Sequence, residues 1–276
     1  MPAIALLAAV LASIAPAPVT VVAAGDIARC DATGDSATAA LIAKLTPDGV
    51  LALGDDAYPS GSATDFADCY GPTWGPFRPF THPAPGNHEY ATAGASGYFG
   101  YFGVRPYYSF NLGGWHFVSL NSEIAHGARS AQVRWLRRDL ARDGHRCELL
   151  YWHRPRWSGG VHGSQADMQP FWRTAADAGV DLVLAGHDHN YQRFARLGAF
   201  GRPNRLGVRS LVVGTGGASH YDPGTIAHRA AANGTDFGVL KLVLRPRDYD
   251  LAFVHVTGGT FRDSLRGQAC HQTRPR

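Results

Sequence analysis

Gly186-His187-Asp188-His189-Asn190 closes an apolar run of strand length, Val180-Asp181-Leu182-Val183-Leu184-Ala185. Two imidazoles one residue apart at the end of a buried strand can turn toward one centre if the loop bends, and Gly186 gives the backbone that freedom. Imidazole is the commonest metal-binding side chain. A His-x-His pair alone, however, marks packing or surface histidines more often than a site. The rest of the chain decides the reading.

Upstream the same grammar repeats. Residues 19–24 form a β-branched run that ends in Gly25-Asp26, and residues 49–53 end in Gly54-Asp55-Asp56-Ala57-Tyr58. Residues 81–85 end in Gly86-Asn87-His88-Glu89, and residues 147–152 end in His153. Five strand-like runs thus finish in a carboxylate, amide or imidazole, which is how an α/β sheet builds a site at the carboxyl ends of its strands. Between and after them, helices are expected over residues 35–45, from Ser62 (with the Ser-x-x-Asp capping spacing) to Cys69, over 130–142, and from Ser164 to Gly179. Further strands are expected over 106–112, 115–120, 193–200, 209–213, 237–245 and 249–256, and an ordered loop over 71–80. Residues 91–103, rich in Gly, Tyr and Phe, suit either a rim to the site or aromatic packing. The pattern gives an α/β (α+β) chain of two stacked sheets flanked by helices.

The set GD, GDxxY, GNHE, a strand-final His and GHxH resembles the calcineurin-like metallophosphoesterases, specifically the purple acid phosphatase branch. Gly214-Thr215-Gly216-Gly217 fits the same pattern. The resemblance implies a four-layer α-β-β-α sandwich with a dinuclear metal site at the strands' carboxyl ends. It carries Asp26, Tyr58 and His189 onto a ferric ion, Asn87, His153 and His187 onto a divalent ion (iron, zinc or manganese), and Asp55 onto both as the bridge. Two metals ~3.5–4 Å apart acidify a bound water and clamp a phosphate. Ferric iron, being hard, suits the oxygen-rich side. Tyr58 marks the branch, because the Asp-x-His of other family members is replaced here by Asp26-Ile27-Ala28. Ala28 also stands where the branch usually has Gly, so a methyl group enters that loop. His88 matches a substrate-facing histidine able to protonate a leaving group, and His162 resembles a second. Glu89 reads as a support for the ligand loops, and Asp56 and Asp188 as polar loop residues that are not ligands. His220 and His228 could line the pocket; His82, His116, His126, His145, His255 and His271 lack motif context and read as surface or structural.

With 276 residues, 45% of them hydrophobic and 17% charged, the chain has the makings of an ordinary folded domain. A net charge of +4 suits an anionic substrate, while the absence of a Lys/Arg-rich run argues against nucleic acid as a dedicated partner. Ala3 to Ala15 is too short to span a bilayer and reads as a secretory leader over residues 1–18, although it lacks a basic start; residues 19–276 then form the metallophosphoesterase domain. No stable membrane span is expected. Four cysteines fit an exported protein with two disulfides. Of the three pairings, Cys30 with Cys69 could close near the site's mouth, leaving Cys147 with Cys270 to tie the tail to a central strand. The expected activity is hydrolysis of small phosphate monoesters. Diesters of nucleotides or lipid head groups are the alternative substrates, and a non-catalytic metal or phosphate-binding module is the alternative class.

Overall fold

The computed structural model describes residues 17–271. Nearly all of the expected leader lies outside these residues. The strands, in chain order, are β1 (Val19–Ala24), β2 (Gly49–Leu53), β3 (Thr81–Ala84), β4 (Tyr108–Leu112), β5 (Trp115–Ser119), β6 (Cys147–Tyr151), β7 (Leu182–Ala185), β8 (Tyr191–Leu197), β9 (Val208–Val213), β10 (Arg229–Asn233), β11 (Gly238–Arg245), β12 (Asp248–His255) and β13 (Asp263–Ala269). The helices are α1 (Gly34–Leu45), α2 (Ala63–Asp65), α3 (Gly71–Thr73), α4 (Ser96–Phe102), α5 (Ala131–Arg142) and α6 (Gln169–Ala178). Among the described residues the strands form two sheets, ordered β13-β12-β11-β1-β2-β3 and β10-β8-β9-β7-β6-β5-β4.

Period-two alternation in the second sheet sets the layers. Phe117, Leu149, Tyr151, Leu182, Leu184 and Leu211 join Val21, Leu51 and Leu242 of the first sheet in one core. Their neighbours Val118, Leu150 and Val183 face the other way, against Leu136 and Leu140 of α5 and Phe171 and Trp172 of α6. Ile42 of α1 packs against the first sheet. The order is the expected α-β-β-α.

Several local expectations hold for physical reasons. Ser62 and Asp65 form the reciprocal capping box, and Ser130 caps α5 through Val133 N–H. Pro246-Arg247 makes the two-residue turn between β11 and β12, since Arg245 pairs with Asp248. Both disulfides are those anticipated, Cys30–Cys69 and Cys147–Cys270. Across sequence separations of 39 and 123 residues, such links are worth on the order of 3–5 kcal/mol each through the unfolded chain.

Other expectations fail. Residues 71–80 are not a loop: Pro72 and Pro76 stand in the first turns of α3 and of a 3₁₀ helix over Gly75–Phe80, where a missing N–H costs nothing. Ser164 does not cap a helix. Its hydroxyl is held by Ser158, and Gln165 precedes the 3₁₀ turn that leads into α6. Of the two readings left open for residues 91–103, the structure shows packing, because α4 buries Tyr98 against Phe66 and sets Tyr101 and Phe102 beside Tyr70. The sequence reading missed β10 and β13, which are short on β-branched alternation and owe their form to the neighbouring strand's backbone.

Asp263 of β13 clamps one sheet to the other. Its carboxylate takes a forked pair from Arg193 of β8 at 2.7 and 2.8 Å and a third bond from Tyr191 Oη at 2.7 Å. Burial alone would raise this carboxyl, but the bonds from Arg193 and Tyr191 win and hold it below its ordinary value. A depressed carboxylate stabilises fully above its unfolded-state pKa of ~4 and loses that contribution as pH falls through the folded value. Asp263→Asn is expected to cost about 2–3 kcal/mol at neutral pH, with the gap to wild type closing toward pH ~3. Urea melts at both pH values test this; a gap of constant size would deny the ionic clamp.

Candidate metal centre

The carboxyl ends of β1, β2 and β3 in one sheet and of β6 and β7 in the other point to the same side, because each set is parallel. Backbone bonds tie these ends together: Gly25 N–H donates to Val213 O of β9 across the two sheets, while Asp26 N–H to Gly54 O and Gly186 N–H to His153 O join neighbouring strand ends within each sheet. Three of the residues that follow these strands lie in the left-handed region, Asp26 at φ 59°, Asp55 at φ 51° and His187 at φ 72°. Non-glycine residues there cost of order 1–3 kcal/mol each and cluster at functional sites. Gly186 does not supply the bend expected of it, since the left-handed φ is at His187. Its role is close approach: a Cβ on Gly186 would lie 2.7 Å from Asp26 Oδ2, and one on Gly86 would lie 2.2 Å from Asp55 Oδ1.

Donor atoms meet in this corner. Tyr58 Oη lies 3.0 Å from His189 Nε2, 3.2 Å from Asp26 Oδ1 and 3.3 Å from Asp55 Oδ2. On the other side of Asp55, its Oδ2 lies 3.2 Å from His153 Nε2, which is 3.2 Å from His187 Nδ1. Asp55 thus stands between a Tyr58, Asp26 and His189 group and a His153 and His187 group. Asn87 adds a buried Oδ1 that finds no hydrogen-bond partner among the described residues. The parallel bridge of Ala28 to Ala57 lets Tyr58 N–H donate to Ala28 O, and this brings the phenol beside Asp26. The Ala28 methyl is fully buried without breaking that contact.

The ring orientations are fixed from outside. His153 Nδ1 contacts Leu53 O at 2.9 Å and His189 Nδ1 contacts Ser219 Oγ at 2.5 Å, so both Nε2 atoms face the cluster. Burial alone would lower His153, but Asp55 pushes it up to about 10; burial alone would raise Asp55, yet His153 and then His88 hold it well below the usual range. His187 is lowered to about 2 by burial and then by His153 and His162, which keeps it in the neutral form that ligates. Burial, then Asp26 and Asp55, push the Tyr58 phenol far up. One phenolic proton cannot satisfy Asp26, Asp55 and His189 together, and one proton on His153 Nε2 cannot serve both Asp55 and His187. Cations would satisfy all of these lone pairs at once and would let the phenol ionise. The donor set therefore fits two metal ions.

Around this set, His88 packs on Tyr58 with centroids 4.3 Å apart and planes tilted by 49°, and turns Nε2 to 3.8 Å from Asp55 Oδ2, its Nδ1 being held by Pro59 O. The exposed His162 stacks on His187 at 4.3 Å. Asp188 points away from the cluster and orders the 158–162 loop through Ser158 and His162 N–H. The Asp56 carboxylate is buried with no hydrogen-bond partner among the described residues, and burial, then Glu89 and Asp55, raise it well above the ordinary range. His220 stacks on Phe237, and His228 lines a cleft with Trp157 and Phe194. Sequence reasoning missed Arg154, Tyr221 and Ser219. Arg154 is paired with Glu123 and reaches within 3.5 Å of His187 Nε2, while Tyr221 stacks on His189 at 4.1 Å. The position of Arg154, directly after the strand-final His153, was the available signal; Ser219 and Tyr221 follow a Gly-rich loop with no spacing rule to single them out.

Glu89 binds the loops into one unit. Its carboxylate accepts from the N–H groups of Gly86, Asp55, Asp56 and Ala57 at 2.7–3.3 Å. Glu89→Ala would leave four buried donors without a partner, at about 1–3 kcal/mol each before relaxation. The expected result is a loss of at least about 3 kcal/mol in denaturant melts together with weaker metal retention; unchanged stability would remove Glu89 from this role.

A family model described as calcineurin-like phosphoesterase matches residues 17–191, more than half of the chain. Over 215 residues the chain is 28% identical to purple acid phosphatase 15 of Arabidopsis thaliana, covering 62% of this chain and 40% of that protein. It is 32% identical over 120 residues to purple acid phosphatase 18 of the same plant, covering 40% and 26%. The chain therefore spans less than half the length of these curated relatives. A purple acid phosphatase structure from yellow lupin (Lupinus luteus) seeds shares the fold at a TM-score of 0.74 and 21% identity, over 91% of this chain and 53% of that one. The matched segment contains every motif from Asp26 to His189. The chain belongs to the calcineurin-like phosphoesterase family, and the curated relatives it matches within it are purple acid phosphatases.

Proposed function

We propose that this chain hydrolyses phosphate monoesters at a dinuclear centre held by Asp26, Asp55, Tyr58, Asn87, His153, His187 and His189. The observation that carries this is the position of Asp55 Oδ2, 3.3 Å from Tyr58 Oη on one side and 3.2 Å from His153 Nε2 on the other. Asp26, Tyr58 and His189 would hold a ferric ion, and Asn87, His153 and His187 a divalent iron, zinc or manganese ion, with Asp55 shared. Such a pair supplies positive charge against the phosphoryl oxygens and acidifies a water molecule for attack.

The remaining steps fall to the chain's own groups. His88, with Nδ1 fixed by Pro59 O, presents Nε2 to the centre and donates a proton to the departing oxygen. Arg154, locked by its double contact with Glu123, offers guanidinium N–H groups to a non-reacting phosphoryl oxygen. His162 and Tyr221 stand at 5.5 Å from one another as the near wall for the ester group. A doubly charged monoester matches these cationic partners better than a diester does, which favours the monoester reading. The full donor set weighs against a non-catalytic module. Two disulfides support action in an oxidising compartment after export.

Purified chain reconstituted with iron and zinc should turn over p-nitrophenyl phosphate faster than its bis ester; the reverse preference would replace monoester by diester. Asp55→Ala is expected to lose both metals and all activity. His88→Ala should keep the metals and lower turnover ~10²–10⁴-fold, the usual worth of a general acid; an emptied centre in His88→Ala would contradict its placement.

Tyr58→Phe keeps the ring and removes its only oxygen. A phenolate on ferric iron gives a visible charge-transfer band, so iron-loaded wild type should be pink to purple and Tyr58→Phe colourless at equal iron content. A colourless wild type containing stoichiometric ferric iron would sink the phenolate assignment while leaving the phosphoesterase reading in place.

A further inference from the structure

A second convergence of donors lies at the other end of the second sheet. The strands β5 and β6 run parallel, and the candidate centre sits beyond their carboxyl ends. His116 is near the start of β5, and His145 lies just before β6 begins at Cys147. The length of strand between the two regions is roughly 13–17 Å. Neither histidine has a part in the proposed hydrolysis.

The His116 side chain is only 8% exposed and the Asp143 side chain 5%. His116 Nε2 lies 2.8 Å from Asp139 Oδ2, and Asp139 Oδ1 accepts from Ser109 Oγ at 2.9 Å. A carboxylate behind one imidazole nitrogen is the arrangement that orients metal-binding histidines. The opposite nitrogen, Nδ1, faces two oxygens: Oδ1 of its cross-strand partner Asn111 at 2.7 Å and Asp143 Oδ1 at 3.6 Å. Asp143 Oδ1 is also 2.6 Å from His145 Nδ1, while Asp143 Oδ2 accepts the His145 N–H. One donor atom from each of His116, Asp143 and His145 thus lies within 4.8 Å of the others. Their measured separations of 2.6 and 3.6 Å bracket the edge of a tetrahedral zinc site, roughly 3.3 Å for ligands at 2.0–2.1 Å. The His145 side chain is 31% exposed, so the group reaches solvent there.

We propose that His116, Asp143 and His145, with Asn111 Oδ1 as a fourth donor, form a mononuclear site for a zinc-like divalent cation. Two imidazoles with one carboxylate select Zn²⁺, Ni²⁺ or Cu²⁺ over Mg²⁺ or Ca²⁺. Charge is balanced, since Asp143 and the Asp139 behind His116 offset a divalent ion. The site has a structural purpose: it ties the end of α5 and the entry to β6 onto the β4–β5 hairpin.

The test compares the full chain with His145→Ala, each equilibrated with Zn²⁺ by dialysis and counted for metal. Wild type should hold one more equivalent of zinc than the variant, whatever the filling of the main centre, which both share. Zinc should also raise the Tm of wild type more than that of the variant, with p-nitrophenyl phosphate turnover equal in both. Equal zinc content in the two folded proteins would overturn the proposal and leave His116 as a hydrogen-bonded clamp. If His145→Ala does not fold, His145→Gln preserves size and polarity without a good ligand, and the same difference of one equivalent decides the matter. Failure here leaves the phosphoesterase reading untouched, because no group is common to the two sites.

Discussion

Crowding of lone pairs at the strand ends is the constraint on which the architecture depends. Two carboxylates, a phenol, an amide oxygen and three imidazoles meet where the fold leaves little water. Tyr58 Oη has three acceptor or donor atoms within 3.3 Å and a single proton to share among them. An arrangement of this kind is costly unless positive charge enters it. Metal binding at this set would therefore be coupled to the folding of these loops, and ions held there would contribute to stability as well as to chemistry.

The surrounding structure resists the collapse of that corner. Glu89 gathers the N–H groups of the second and third motifs, His187 N–H is taken by Asp26 Oδ2, and the Cys30–Cys69 disulfide closes the loop beside Tyr58. Each device acts on the backbone; Asp26 uses Oδ2 and Asp55 uses Oδ1 for backbone N–H groups, and the second oxygen of each stays turned to Tyr58 Oη. Left-handed φ values at Asp26, Asp55 and His187 show where the strain is stored. Both sheets contribute, which makes the inter-sheet core and the Arg193–Asp263 clamp part of the site's support.

Selectivity is a separate matter from chemistry in this family, because one donor set serves many rims. Here the near wall is built from His88, His162, Arg154 and Tyr221, and the aromatic residues of α4 have been drawn into packing instead.

The sequence by itself determined the strand-end grammar. Asp26, Asp55, Asn87, His153, His187 and His189 drew attention because each follows closely on a strand-like run, whereas Tyr58 and the ligand roles came only with the family resemblance. The order of strands and helices suggested two stacked sheets and the resemblance supplied the four layers; only the structure shows Phe117, Leu149 and Leu184 facing one neighbour and Val118, Leu150 and Val183 the other. Edge strands β10 and β13 were not legible: their pairing is dictated by the backbone beside them and leaves little trace in side-chain pattern. Arg154, Tyr221 and the His116, Asp143 and His145 group also came only from tertiary structure. Asp143 and His145 are close in sequence, but what joins them to His116, and Arg154 and Tyr221 to the imidazoles of the centre, is packing across the fold that no local spacing encodes.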